Sequence, residues 1–130
     1  MITVTPIQDK AEQARLAALC GIPFLADAPA YAARGGDGQF AGMCQFGIDA
    51  AGGHLFHLAT PTDGDPYDAL FVMGRAALNF MDLCGAKFAF FEGDTAGREA
   101  LLTRIGFTET NGRYVFSLEG FFTQPCKCGH

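Results

Sequence analysis

The chain has no tryptophan, and its nine Lys and Arg are outnumbered by fourteen Asp and Glu, for a formal charge of −5. No nucleic-acid partner is expected. Holding a phosphate backbone needs clustered cations, and the basic residues here are scattered. Long apolar runs are missing too: none reaches the roughly 20 residues that span a bilayer, so no membrane partner is expected. The opening MITVTPIQDK lacks the charged-then-apolar pattern of a secretion signal, which makes the cytoplasm the expected location. Five cysteines, an odd number, do not make a disulfide framework in such a chain. No internal repeat or linker divides it.

What is present suits a globular protein. With 130 residues, 49% of them hydrophobic and only 18% charged, the chain can bury one core and is not expected to be disordered. Thirteen Phe take the place of the missing Trp. One domain is expected over residues 1–118, followed by a tail over 119–130.

Local patterns predict the elements in order. Ile2 to Thr5 reads as a β-branched strand. Asp9 and Glu12 form a capping box that opens a helix to about Cys20, ended by Gly21-Ile22-Pro23. Residues 24–30 read as irregular. Strands over Ala30–Arg34 and Gln39–Ile48 flank the hairpin signal Gly35-Gly36-Asp37-Gly38. Alternation puts Phe40, Gly42, Cys44, Phe46 and Ile48 on one face. Gly52-Gly53 is expected to turn the chain into a strand over His54–Ala59.

A polar loop then leads to the longest helix, Pro66 to Gly85, with Asp65 as N-cap and Pro66 as first helical residue. Asp68, Arg75, Asn79 and Asp82 form its polar stripe. Leu70, Met73, Ala77, Phe80, Met81 and Cys84 form the side laid on a sheet. Lys87 to Glu92 reads as a central strand covered on both faces. A helix over Thr95–Ile105 is capped by Gly106, and Phe107–Thr110 and Arg113–Leu118 form a hairpin about Asn111-Gly112. Cys20, Cys44 and Cys84 are expected to pack as small hydrophobes. The order is β-α-β-β-β-α-β-α-β-β. A strand-helix-strand unit inside a mostly antiparallel sheet means an α+β fold with a mixed sheet.

The segment Ala100 to Phe107, ALLTRIGF, follows the apolar strand Phe88-Ala89-Phe90-Phe91, closes on Gly106 and leads into the hairpin. That order resembles the C-terminal half of the GNAT superfamily of N-acetyltransferases, and with the upstream elements the resemblance covers nearly all of residues 1–118. It implies a small primary amine as acceptor and acetyl-CoA, or another acyl-CoA, as donor. In many members a tyrosine four residues before the glycine protonates the departing thiolate; Leu102 stands there.

The family holds the coenzyme's pyrophosphate on a loop of the form R/Q-x-x-G-x-G/A at the start of the long helix, where free N–H groups and the helix dipole receive the anion. Counting back from Gly85, that loop falls on Asp65-Pro66-Tyr67-Asp68-Ala69-Leu70. It has no leading Arg or Gln and no glycine pair. Pro66 removes a donor, and Asp63, Asp65 and Asp68 bring negative charge. The resemblance therefore implies cofactor contacts at Leu58, Ala59, Asp65, Tyr67, Asp68 and Ala69, with weakened or lost coenzyme A binding. His57 is the general-base candidate in its strand, with His54 on the other face if that strand is regular, and Glu92 is a second base candidate. The alternative is a non-catalytic GNAT-like domain that binds a ligand, a metal or a partner.

The last five residues, CKCGH, place Cys126, Cys128 and His130 together. Thiolate and imidazole suit zinc, copper(I) or iron. Three ligands do not close a tetrahedral site; a fourth could come from elsewhere on the chain, from the terminal carboxylate or from a second subunit, in which case two tails sharing a metal would make a homodimer.

Overall fold

The computed structural model describes residues 2–61 and 67–119. Its elements are β1 (Thr3–Pro6), α1 (Lys10–Leu19), β2 (Ala30–Arg34), β3 (Phe40–Asp49), β4 (Gly52–Ala59), α2 (Tyr67–Leu83), β5 (Phe88–Phe91), α3 (Glu99–Ile105), β6 (Thr108–Thr110) and β7 (Arg113–Ser117). The strands form one sheet in the order β1-β2-β3-β4-β5-β7-β6. Every pairing is antiparallel except β4 with β5, which run parallel and are joined through α2. The fold is α+β with a mixed sheet, in the order the sequence implies.

Local chemistry accounts for most boundaries. Asp9 caps α1 by accepting the Ala11 N–H at 3.0 Å, while Glu12 turns instead to Arg15 at 2.7 Å, so only half of the expected capping box forms. Asn111 and Gly112 have φ of 53° and 80°, the left-handed pair that a two-residue hairpin turn needs. At the end of α3, Leu102 O accepts from the N–H groups of both Gly106 and Phe107. That helix starts at Glu99 rather than Thr95, because residues 95–98 form a turn closed by Arg98 N–H on Thr95 O, with Gly97 at φ 73°.

The glycine pair at 52–53 is not a turn. Ala50 and Ala51 make the turn, with Asp49 Oδ1 accepting the Ala51 N–H at 2.9 Å, and both glycines belong to β4. Close packing explains them: a Cβ on Gly53 would collide with Met81 Sδ of α2.

The sheet has a different cover on each face. On one, α2 and α3 bury Met73, Ala77, Leu78, Met81, Leu102 and Ile105 against Cys44, Phe46, Leu55, Ala89 and Phe116. Each large side chain buried there contributes about 1.5–3 kcal/mol. On the other, α1 sets Leu16 and Ala17 on Ala30, Ala32 and Met43. Among the described residues no helix covers β5 on this second face, where Phe88 is 45% exposed. The expectation of a strand buried on both sides is therefore corrected for β5.

Two bulges break the alternation of the sheet. One lies between Ala33 and Arg34 in the β2–β3 register and sends Phe40 to the α1 side, away from Cys44 and Phe46; Ile48 at the far end of β3 is exposed. The other sets Gln45 opposite His57 and Phe46 opposite Leu55, leaving Phe56 extra. Cys44 is buried and its thiol pushed up to about 12, and burial pushes the half-buried Cys20 up to about 11. Cys84 is exposed beyond the end of α2 and does not pack as a hydrophobe. Among the described residues, no helix is long and apolar enough to cross a membrane.

Candidate active-site cleft

β4 and β5 stay paired over only three positions, Gly53–Ala89, His54–Phe90 and Leu55–Phe91, with a last bond from Glu92 N–H to Leu55 O at 2.8 Å. β4 continues to Ala59 and β5 does not follow it, so the β5 side of Phe56–Ala59 has no strand partner. The parted strands open a cavity of about 380 Å3, lined by Phe56, His57, Leu58 and Ala59 on one wall and by Phe91, Gly93 and Arg98 on the other. Gly93 is where the chain leaves β5 against its neighbour. A Cβ there would lie 2.9 Å from Phe56 O and 3.0 Å from the Phe91 ring.

The second bulge decides what the cleft contains. Because β4 carries one residue more than β3 at that point, His57 faces the same side as Gln45, and His54 lies opposite Gly47 on that side too. In a regular strand the two histidines would point to opposite faces. Here both lie on the face of α1.

His57 is held by a buried amide network. Gln45 Oε1 accepts from Leu25 N–H at 3.0 Å and from Gln13 Nε2 at 2.9 Å, while Gln45 Nε2 donates to Pro23 O at 2.8 Å and meets His57 Nδ1 at 2.9 Å. A peptide N–H can only donate and a carbonyl oxygen only accept. Leu25 and Pro23 thus fix which end of the Gln45 amide is which, and His57 Nδ1 must be the acceptor. The ring proton is then on Nε2. Burial holds the imidazole below its ordinary pKa and so neutral. As held, His57 offers the cleft an N–H, not the free lone pair that a general base requires.

Glu92 lies just past β5 and is tied to His54, not to His57. Its Oε2 receives His54 Nδ1 at 2.7 Å and Arg113 at 2.9 Å, and His54 Nε2 meets Asp49 Oδ1 at 2.9 Å. Arg113 also lies over the Phe90 ring, 4.1 Å from its centre. Burial alone would push Glu92 up, but the bonds from His54 and Arg113 outweigh it and hold the carboxyl below its usual range. For His54 burial is the largest single effect and lowers the pKa, yet the two carboxylates together raise it. Beside this cluster a larger, mostly apolar cavity of about 870 Å3 runs along β3 beyond the end of β2, lined by Phe24, Leu25, Phe46, Ile48 and His54; Phe56 lines both cavities.

The other expected residues divide. Leu58 and Ala59 line the cleft with their side chains buried, so what they can offer a ligand is backbone. Asp68 is exposed in the first turn of α2, whereas Ala69 is buried in the core. Asp65 and the side chain of Tyr67 lie outside the described residues. Leu102 is wholly buried in the core. Cys126, Cys128 and His130 also lie outside the described residues, and among those described no group of His, Cys, Asp or Glu could hold a metal.

Sequence reasoning missed Arg98. It falls inside the helix that the sequence predicts over Thr95–Ile105, and helical periodicity says nothing of a cavity at that position. Its Nη1 is buried without a hydrogen-bond partner, and desolvation lowers its pKa against a smaller opposing effect of Asp94.

No family model matches the chain, and no curated protein matches it in sequence. Solved structures match it in fold. An IAA acetyltransferase from Bacillus cereus superposes with a TM-score of 0.71 at 15% identity, covering 90% of this chain and 99% of that one. The ribosomal-protein-S18-alanine N-acetyltransferase from Escherichia coli gives 0.67 at 13% identity, covering 91% and 94%. A GNAT-family acetyltransferase from Brucella melitensis, in complex with acetyl-CoA, gives 0.67 at 15% identity, covering 90% and 88%. The chain has the fold of the GNAT acetyltransferases.

Proposed function

We propose that the protein is an acyl-CoA-dependent N-acyltransferase acting on a small primary amine, with the thioester held in the cleft between β4 and β5. The observation that carries this reading is the parting of two parallel strands after Leu55, which frees strand backbone beside a cavity. The Brucella melitensis relative, solved with acetyl-CoA, supports the choice of donor. Gly93, where a side chain would meet Phe56 O and the Phe91 ring, leaves this wall of the cavity open to the slender acyl end of such a molecule.

Bound there, acyl-CoA supplies an activated acyl group that a neutral amine attacks directly. Backbone N–H groups of residues 56–59 on the cleft side meet the carbonyl oxygen as it gathers charge. His57 Nε2–H is a second donor on the same wall. With His57 Nδ1 occupied and Glu92 stabilised as an anion, neither is a strong base, so the amine's proton passes to water. Leu102 donates nothing to the departing thiolate. The start of α2 holds the coenzyme weakly, since Asp68 opposes the phosphates and Pro66 lacks an N–H. The acidic chain favours a cationic approach by the acceptor.

The test is calorimetric titration of the protein with acetyl-CoA, followed by thiol release in the presence of a panel of primary amines. Binding with amine-dependent release supports the reading. Binding without release for any amine leaves the non-catalytic alternative, and no binding rejects both the donor and the reaction.

A further inference from the structure

We infer that the cleft contains a carboxylate-binding subsite made by Arg98 and His57, so that the molecule bound there carries a carboxylate of its own. That group has two sources: the distal carboxylate of an ω-carboxyacyl donor such as succinyl-CoA, or the α-carboxylate of an amino-acid acceptor. The inference rests on the acyltransferase reading for these two sources, but the subsite itself is a property of the cavity.

Two independent observations converge on it. Arg98 lines the cavity, and its Nη1 is buried with no hydrogen-bond partner. Nη1 is closed to solvent, so what Arg98 turns to the cavity is the remainder of a half-buried guanidinium that no ion pair from the described residues neutralises, and a cation so placed favours a ligand that brings the acceptor. The neighbouring acid does not serve: no ion pair joins Asp94 to Arg98. From the opposite wall comes His57, whose Nε2 bears the proton because Gln45 occupies Nδ1. A guanidinium and an imidazole N–H facing one cavity form a donor pair for an anion. Asp94 also lines the cavity, which opposes a phosphate dianion more than a carboxylate. Cys20 and Ile22 supply apolar wall for the methylenes between carboxylate and reacting carbon.

The experiment compares the full-length protein with Arg98→Gln and Arg98→Lys. Free succinate is titrated first, with acetamide as the neutral control. The subsite requires that succinate bind and shift the His57 ring resonances in the unaltered protein, and that Arg98→Gln abolish both effects. The thermal midpoint of Arg98→Gln without ligand should equal or exceed that of the parent, since it removes a half-buried charge with no counter-ion; a fall would assign Arg98 a structural role and overturn the inference. Failure of succinate to bind overturns it as well.

A second arm finds the source. Succinyl-CoA binding at least tenfold tighter than acetyl-CoA, with the difference erased in Arg98→Gln and largely kept in Arg98→Lys, assigns the carboxylate to the donor. Equal binding of the two donors, with acetyl transfer to alanine at least tenfold faster than to ethylamine and only while Arg98 is present, assigns it to the acceptor. If Arg98→Gln weakens coenzyme A itself equally with both thioesters, the guanidinium serves a coenzyme phosphate and the inference is overturned. If no thioester binds at all, the acyltransferase reading fails, and the succinate titration alone decides the subsite.

Discussion

Gln45 meets the ring of His57 at 2.9 Å, and the peptide N–H of Leu25 on the other end of the same amide dictates that Gln45 is the donor. One backbone group in an irregular segment thereby sets the tautomer of a cleft residue on another element. Gln13 from α1 joins at the Gln45 oxygen, so the first helix is coupled to the cleft through two fully buried amides.

Replacing Gln45 by Leu removes partners from Leu25 N–H, Pro23 O, His57 and Gln13 at once. Buried groups left unpaired cost about 1–3 kcal/mol each, and partial rearrangement with water entry reduces the sum. A loss of about 2–4 kcal/mol is expected in urea denaturation. Gln45→Glu should instead move the ring proton to Nδ1 and raise the pKa of His57, which imidazole nitrogen resonances report directly.

Stability should also follow pH in a defined way through His54. Its folded pKa is raised, so its contribution is fully present below about pH 6.5 and lost as pH rises through the folded value. Asp49 and Glu92 are shifted downwards, so theirs is present above about pH 4 and lost as pH falls through the lower folded values. The denaturation midpoint is expected to be highest between these limits. In His54→Gln the decline just above pH 6.5 should shrink; an unchanged alkaline limb would exclude the imidazole as its source.

At the start of α2, Asp65→Gly and Asp68→Gly together should improve acetyl-CoA affinity. A charge in the first helical turn is worth about 0.3–1 kcal/mol, so removing both predicts a gain of roughly three- to thirtyfold, read by calorimetry. An unchanged affinity would show that the aspartates do not oppose the coenzyme.

Restoring a tyrosine at position 102 should not create the missing acid. Leu102 is fully enclosed between α3 and the sheet, and its carbonyl closes the end of the helix. Leu102→Tyr is expected to overpack this core at a cost of about 1–3 kcal/mol, with no rise in amine-dependent thiol release. Increased turnover would mean that the new hydroxyl reaches the cleft.

A neutral amine acting without a protein base should give a rate that climbs with pH towards the pKa of the free acceptor. The profile of kcat/KM for two amines of different basicity checks this: the plateau should move with the amine. A shared inflection near neutrality would point to a histidine acting as base.

The amino-acid sequence by itself determined the order of elements, the cap at Asp9, the hairpin at Asn111-Gly112 and the helix end at Gly106, because each depends on residues within a few positions of one another. It also led to His57 and Glu92, since few other titratable groups flank the parallel strands. Tertiary structure decided how they are used. The bulge at Phe56 exists only in the register between β4 and β3, and it brings His54 to the face of His57 and next to Glu92. The tautomer of His57 depends on Leu25 and Pro23, some thirty residues earlier. Gly52-Gly53 reads locally as a turn, whereas Met81 of a distant helix leaves no room for a side chain at Gly53 and the Phe88 carbonyl none at Gly52. Arg98 looked like any surface arginine of a short helix. Only the folding of β4 and β5 apart gave it a cavity, because burial and pairing are set by contacts between segments that no local pattern encodes.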